Sequence, residues 1–134
     1  MVFELTESLH TGIGHVDDEH RSLISRINSI GALERSADME ALIGALAAFK
    51  ADLAEHFENE EVYLKEVNYP ELRSHAKHHA ETIVVLDRLI RNHRDGGSID
   101  GGAANACYHQ LITVLLRKDM QFANWLADHP ELRK

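Results

Sequence analysis

Apolar residues recur at every third or fourth position through most of this chain, and nowhere do they alternate with polar ones in the period of two that a strand requires. Four segments carry the helical period. The first runs from about Asp18 to Leu33, with Leu23, Ile24, Ile27 and Ile30 on one stripe and Asp17 or Asp18 placed to cap its start. The second, from about Asp38 to Val67, carries Met39, Leu42, Ile43, Leu46, Phe49, Leu53, Phe57 and Leu64. The third opens at Pro70, a residue tolerated in a first helical turn, and carries Leu72, Ala76, Ile83, Leu86 and Ile90 as far as His93. A glycine-rich stretch separates it from the fourth, about Ala103 to Leu126, with Cys107, Tyr108, Leu111, Leu115, Phe122 and Leu126. Short connections make consecutive helices antiparallel neighbours. The expected fold is therefore all-α, an up-down-up-down antiparallel four-helix bundle in one domain over residues 1–134, with residues 1–17 as an N-terminal arm.

Polar residues interrupt these stripes. His20 lies on the first; His56 and Glu60, at i and i+4, lie on the second; His75 and His79, again i and i+4, lie on the third; Asp119 lies on the fourth. At that spacing two side chains stand one above the other on the same helix face. Each alone could be a satisfied core or rim group. Burying an imidazole or carboxylate without a partner costs several kcal/mol, however, so six together require a common cause. Counting from the turns, His20 lies about fourteen residues before the first and His56 about nineteen after it. His79 lies about sixteen before the third turn and Asp119 about seventeen after it. At roughly 1.5 Å per residue the six groups converge on one level, towards one end of the bundle interior.

Four imidazoles and two carboxylates exceed the four ligands of a structural zinc site and suit two metal ions bridged by the carboxylates. The donor chemistry favours iron, manganese or zinc over copper–thiolate or calcium sites. Composition agrees: ten of 134 residues are histidine, the commonest transition-metal ligand among side chains. The chain is 44% hydrophobic and 27% charged, the balance of a folded globular domain. Its net charge of -8 argues against nucleic acid as a partner. The lack of any apolar run near 20 residues, or of a signal-peptide layout in MVFELTESLH, argues against a membrane and for a cytoplasmic location. A lone cysteine, Cys107, fits the same reducing compartment and reads as a small core residue.

The segment His56-Phe57-Glu58-Asn59-Glu60-Glu61, then Asn68-Tyr69-Pro70-Glu71-Leu72 and His75-Ala76-Lys77-His78-His79, resembles the hemerythrins, in particular the bacterial ones. Gly12-Ile13-Gly14-His15-Val16-Asp17-Asp18-Glu19-His20 is similar to the segment bearing that family's first histidine. The resemblance covers most of the chain. It implies a four-helix bundle with a non-haem centre of two iron ions (Fe2+/Fe3+), bridged by oxo or hydroxo, that binds dioxygen reversibly. Carried over by position, His20 and His56 would hold one iron and His75 and His79 the other, with Glu60 and Asp119 bridging.

One departure stands out. The family's fourth helix supplies a further histidine five residues before its bridging aspartate, and that position here is Val114. A rival alignment uses Trp125-Leu126-Ala127-Asp128-His129 and places Lys134 at the aspartate position, but it carries His129 some 15 Å or more from the site. His109 is another candidate to fill the gap, if the helix is shifted. With no histidine there, both irons could be open, and peroxide chemistry competes with stable oxygen carriage. The leading expectation is dioxygen carriage, storage or oxygen/redox sensing, with peroxide or nitric oxide as further ligands. The alternatives are a di-iron peroxidase or oxidase, and the sensory input domain of a longer signalling protein whose output domain or partner is reached through the C-terminal helix. The remaining histidines, His10, His15, His78, His93, His109 and His129, are expected at the surface or rim. The acidic run from Glu58 to Glu66, Glu60 apart, is expected to be a solvated face. Asp17 could accept from a ligand's ring N–H. Leu23, Ile24 and Leu115 are expected to form dry walls, and Phe57, Tyr63, Phe122 and Trp125 to be core.

Overall fold

The computed structural model describes residues 2–36, 38–97 and 102–132. A short 3-10 turn, Glu7–Leu9, precedes helices α1 (Gly14–Ser36), α2 (Met39–Glu66), α3 (Leu72–Arg94) and α4 (Ala103–Val114). Helix α4 runs through a wide π-helical turn, Leu115–Asp119, into α5 (Met120–Ala127), so the last two form one long rod. Helix α1 packs against α2 and α4, and α3 packs against the same two, which closes a ring of four. No strand occurs among the described residues. The expected four-helix bundle is the observed one.

Two helix starts differ from the expectation, each for a local reason. Helix α1 starts at Gly14, four residues before Asp18, and Asp17 does not cap it. The Asp17 carboxylate instead accepts from the Thr11 N–H and hydroxyl (2.8 Å each) and from the Gly12 N–H (3.1 Å), tying the arm down just ahead of the helix. Helix α3 starts at Leu72, and Pro70 lies in the preceding turn. That turn is fixed by the end of α2, where Asn68 adopts φ 58°. The Tyr69 N–H reaches back to the Leu64 carbonyl (2.9 Å) and the Asn68 N–H to that of Lys65 (3.1 Å), the paired bonds that close a helix on a left-handed residue. Helix α2 is capped by Asp38, whose side chain accepts from the Ala41 N–H at 3.0 Å. The glycine stretch falls partly on residues 98–101, outside the described residues.

Helix α4 has an unusual cap. Its N-cap residue, Gly102, has φ 94°, and a Cβ there would stand 2.9 Å from a Glu34 carboxylate oxygen. That carboxylate, reaching across from α1, accepts the N–H groups of Ala103 (2.7 Å) and Ala104 (2.8 Å). It satisfies two of the free donors at the helix start and welds the first helix to the last. Glu34→Ala is therefore expected to cost about 1–2 kcal/mol. A melting temperature lowered by a few degrees, with helix content unchanged, is the result to look for.

The apolar core is divided. One cluster gathers Leu23, Ile27, Phe49, Leu53, Leu86 and Leu115 with their neighbours. The other gathers Ile13, Val16, Tyr63, Leu64, Tyr69, Phe122 and Leu126. Along every helix the polar interruptions lie between the two: Val16, His20, Leu23 on α1, and Leu53, His56, Glu60, Leu64 on α2. The bundle thus encloses a polar layer between two dry ones. No helix among the described residues is long and apolar enough to cross a membrane.

Candidate metal centre

All six interrupting side chains are buried, His20 at 0% and the others at 1–3% exposure. They meet in that layer, contributed by α1 (His20), α2 (His56, Glu60), α3 (His75, His79) and the end of the π-turn (Asp119). Their donor atoms form two overlapping sets, His20–His56–Glu60–Asp119 and Glu60–His75–His79–Asp119, each within 4.8 Å. The two carboxylates belong to both.

Each carboxylate divides its oxygens between the sets. Glu60 directs Oε1 to the Nε2 atoms of His75 (2.5 Å) and His79 (3.1 Å) and Oε2 to that of His56 (3.5 Å). Asp119 directs Oδ1 to His75 Nε2 and Oδ2 to His20 Nε2, both at 3.0 Å. All four imidazoles therefore present Nε2 inwards. His20 and His56 bring their Nε2 atoms to 3.1 Å, so without a metal at least one of them carries a proton between them. Glu60 Oε2, Asp119 Oδ2 and His79 Nε2 are buried with no aligned hydrogen-bond partner among the described residues. Orphaned acceptors in a dry core are costly, and a cation between them removes that cost. The donor set suits a pair of divalent transition metals.

Electrostatics bear the same mark. Burial opposes ionisation of Asp119, but the neighbouring His20 and His75 imidazoles outweigh it and hold its carboxyl far below the usual range. Burial likewise opposes protonation of His75, yet Asp119 and Glu60 push its pKa up from 6.5 to about 9. His56 is raised too, burial again being outweighed, here by the Glu19 hydrogen bond and the charges of Glu60 and Asp119. A raised folded-state pKa stabilises the folded chain below about pH 6.5, and that contribution is lost as pH climbs towards 9. The melting temperature of metal-free protein is accordingly expected to fall across that interval. Metal-loaded protein, whose Nε2 atoms carry no proton, is expected to show no such fall. Calorimetry of the two forms from pH 6 to 9.5 checks both.

The wide turn positions Asp119. Positions five apart on a regular α-helix differ by about 140°. Here the Met120 N–H bonds to the Leu115 carbonyl, five residues back, and Val114 and Asp119 are both buried to 1% exposure. Val114 packs among Leu111 and Leu115 and offers no donor. His109 does not replace it: its side chain is exposed on α4, so the shifted-helix expectation fails. His129 stacks on Trp125 (centroids 4.3 Å) and donates Nδ1–H to the Trp125 carbonyl, outside both donor sets. Lys134 lies outside the described residues.

Two carboxylates escaped the sequence reading. Glu61, assigned there to the solvated face, is 2.8 Å from His79 Nδ1, and Glu19 is 3.0 Å from His56 Nδ1. Each directly neighbours a predicted ligand in sequence, which places it about 100° round the helix, at the rim of the layer. Asp17, the acceptor the sequence suggested, holds the arm instead. Leu23, Ile24 and Leu115 are buried beside the layer, at 0–4% exposure, and Phe57 stacks on the His79 ring at 3.8 Å.

A helical bundle enclosing a buried cluster of histidines and shared carboxylates is the build of a non-haem metal-binding protein. The family model of the hemerythrin HHE cation binding domain matches residues 11–131, and the chain belongs to that family. Membership implies non-haem iron binding, which this donor set suits. The chain is also 24% identical over 131 residues to a bacteriohemerythrin of Ralstonia nicotianae (strain ATCC BAA-1114 / GMI1000), across 98% of this chain and 82% of that protein.

Proposed function

We propose that the chain binds dioxygen at a di-iron centre held by His20, His56, His75 and His79 and bridged by Glu60 and Asp119, for oxygen carriage, storage or sensing. The observation that carries this reading is the division of each carboxylate's oxygens between two histidine pairs in one buried layer. When bound, a ferrous pair supplies the two electrons that dioxygen takes up on binding. The chain's own groups do the rest. Glu60 and Asp119 would hold the metals and neutralise part of their charge. Each set offers two imidazoles and two carboxylate oxygens, which would leave room for an exogenous ligand. Leu23, Ile24 and Leu115 on one side, and the cluster around Tyr69 and Phe122 on the other, keep bulk water out.

A second reading, a peroxide-reducing or oxidase-type centre, is favoured by Val114, because a buried apolar side chain there would give a metal held by His75 and His79 no further ligand. The test is reconstitution with ferrous iron, reading iron per chain and visible absorption before air, in air and after deoxygenation. Two irons and a charge-transfer band that appears in air and fades on deoxygenation support oxygen binding. Two irons that oxidise once, without return, and turn over peroxide with a reductant support the second reading. Fewer than two irons overturn both.

A further inference from the structure

We propose that Glu19 and Glu61 are positioning residues, one for each metal, that lock His56 and His79 in the tautomer with Nδ1 protonated and Nε2 bare towards the centre. The inference rests on the two-metal reading above. Glu19 precedes His20 in sequence yet serves the facing helix. Its Oε1 accepts from His56 Nδ1 at 3.0 Å, and its Oε2 accepts from Asn59 Nδ2 at 3.0 Å, which fixes the carboxylate plane. Glu61 follows the bridging Glu60 and also reaches across, its Oε2 accepting from His79 Nδ1 at 2.8 Å. The Nδ1 atoms of the other two histidines, His20 and His75, have no partner among the described residues. Each donor set therefore contains one carboxylate-backed imidazole and one unbacked.

The backed histidines each line a cleft. Glu19 and His56 line an open cleft of about 310 Å³, with Ser22 and Leu23 on α1 and Asp52 and Glu55 on α2. Glu61 and His79 line another of about 260 Å³ between α2 and α3, beside Phe57. A ring at such an edge can turn over and offer either nitrogen, or give Nδ1–H to water. The half-exposed carboxylates, at 32% and 36%, prevent this by a charge-assisted bond that only the correct tautomer makes. The same bond raises the donor strength of Nε2, and such outer partners are typically worth about 10–100-fold in metal affinity. His20 and His75, sealed among helices, hold their orientation by packing and their contacts to Asp119.

The test is a chelator-competition titration of the full chain with Co2+, comparing wild type with Glu19→Ala, Glu61→Ala and the two glutamine variants. Nitrogen NMR of the His56 and His79 rings in Zn2+-loaded protein reads the tautomers, a quantity that a merely structural role would leave unmoved. Wild type is expected to take two Co2+. Each alanine variant is expected to weaken one of the two sites about 10–100-fold, leave the other intact, and lose the single tautomer at its own histidine. Glutamine, which keeps a carbonyl acceptor but not the charge, is expected to restore the tautomer and only part of the affinity. Should an alanine variant fail to fold, its glutamine counterpart decides. Fewer than two Co2+ in wild type overturns the two-metal reading and this proposal with it. Two Co2+ in wild type, with affinities in every folded variant equal to wild type, overturns the positioning role alone.

Discussion

Asp119→Ala is expected to leave a helical bundle that takes up one metal or none per chain in place of the two proposed. The reason is the way this carboxylate is shared: Oδ1 serves the His75 side and Oδ2 the His20 side, so its loss removes a ligand from both sets at once. Glu60 would remain as the lone tie. Without metal the variant also loses the hydrogen bond to His75 and the close contact to His20, in a site 1% exposed. Removing one partner of a buried charged cluster typically costs about 3–5 kcal/mol, enough to lower the melting temperature of a domain this size by roughly 10 °C. Metal analysis after loading, with a thermal melt of the metal-free protein, reads both effects. Two tightly held metals in Asp119→Ala would show that Glu60 alone bridges the pair.

Val114→His is expected to act with opposite signs on the empty and the loaded protein. In metal-free protein the larger, polar ring enters a full apolar cluster beside Leu111 and Leu115, an overpacking expected to cost about 1–3 kcal/mol. In loaded protein the new imidazole is expected to add a ligand to the metal proposed at His75 and His79. The wide turn is what makes this feasible, since it lets residues five apart, Val114 and Asp119, both turn inwards. A new protein ligand should be worth at least the roughly tenfold that an outer-shell partner carries, so tighter binding at one site is expected. Air oxidation should slow as that metal closes. The measurements are melting temperature with and without metal and the rate of spectral change in air. A variant equally destabilised in both states would mean that the imidazole does not reach the metal.

The same contrast separates what could be read along the chain from what could not. The six candidate ligands were legible because helical periodicity is local. A residue at i+4 from another polar residue on an apolar stripe must face the same interior, and His56/Glu60 and His75/His79 do so whatever the rest of the chain does. The bundle was legible for the same reason. Partnership across helices was not. Glu61 sits in an acidic run that looks solvated, and only the rotation of α2 against α3 brings it to the His79 ring. Glu19 is beside His20 in sequence and against His56 in space.

The arm and the caps follow that rule too. Asp17 had the composition of a helix cap, yet three donors from Thr11 and Gly12 compete for its carboxylate and win. Glu34 had no sequence signal at all, because the helix it caps begins some seventy residues later. Which residues face inwards is set along the chain, since a 3.6-residue period assigns each side chain a face before any helix meets another. Which inward groups touch, how each carboxylate splits its two oxygens, and the one-residue opening of the fourth rod at Leu115–Asp119 arise only when the helices pack. Those depend on the height and rotation of one helix against the next, which are set by the packing of the two apolar layers on either side of the site.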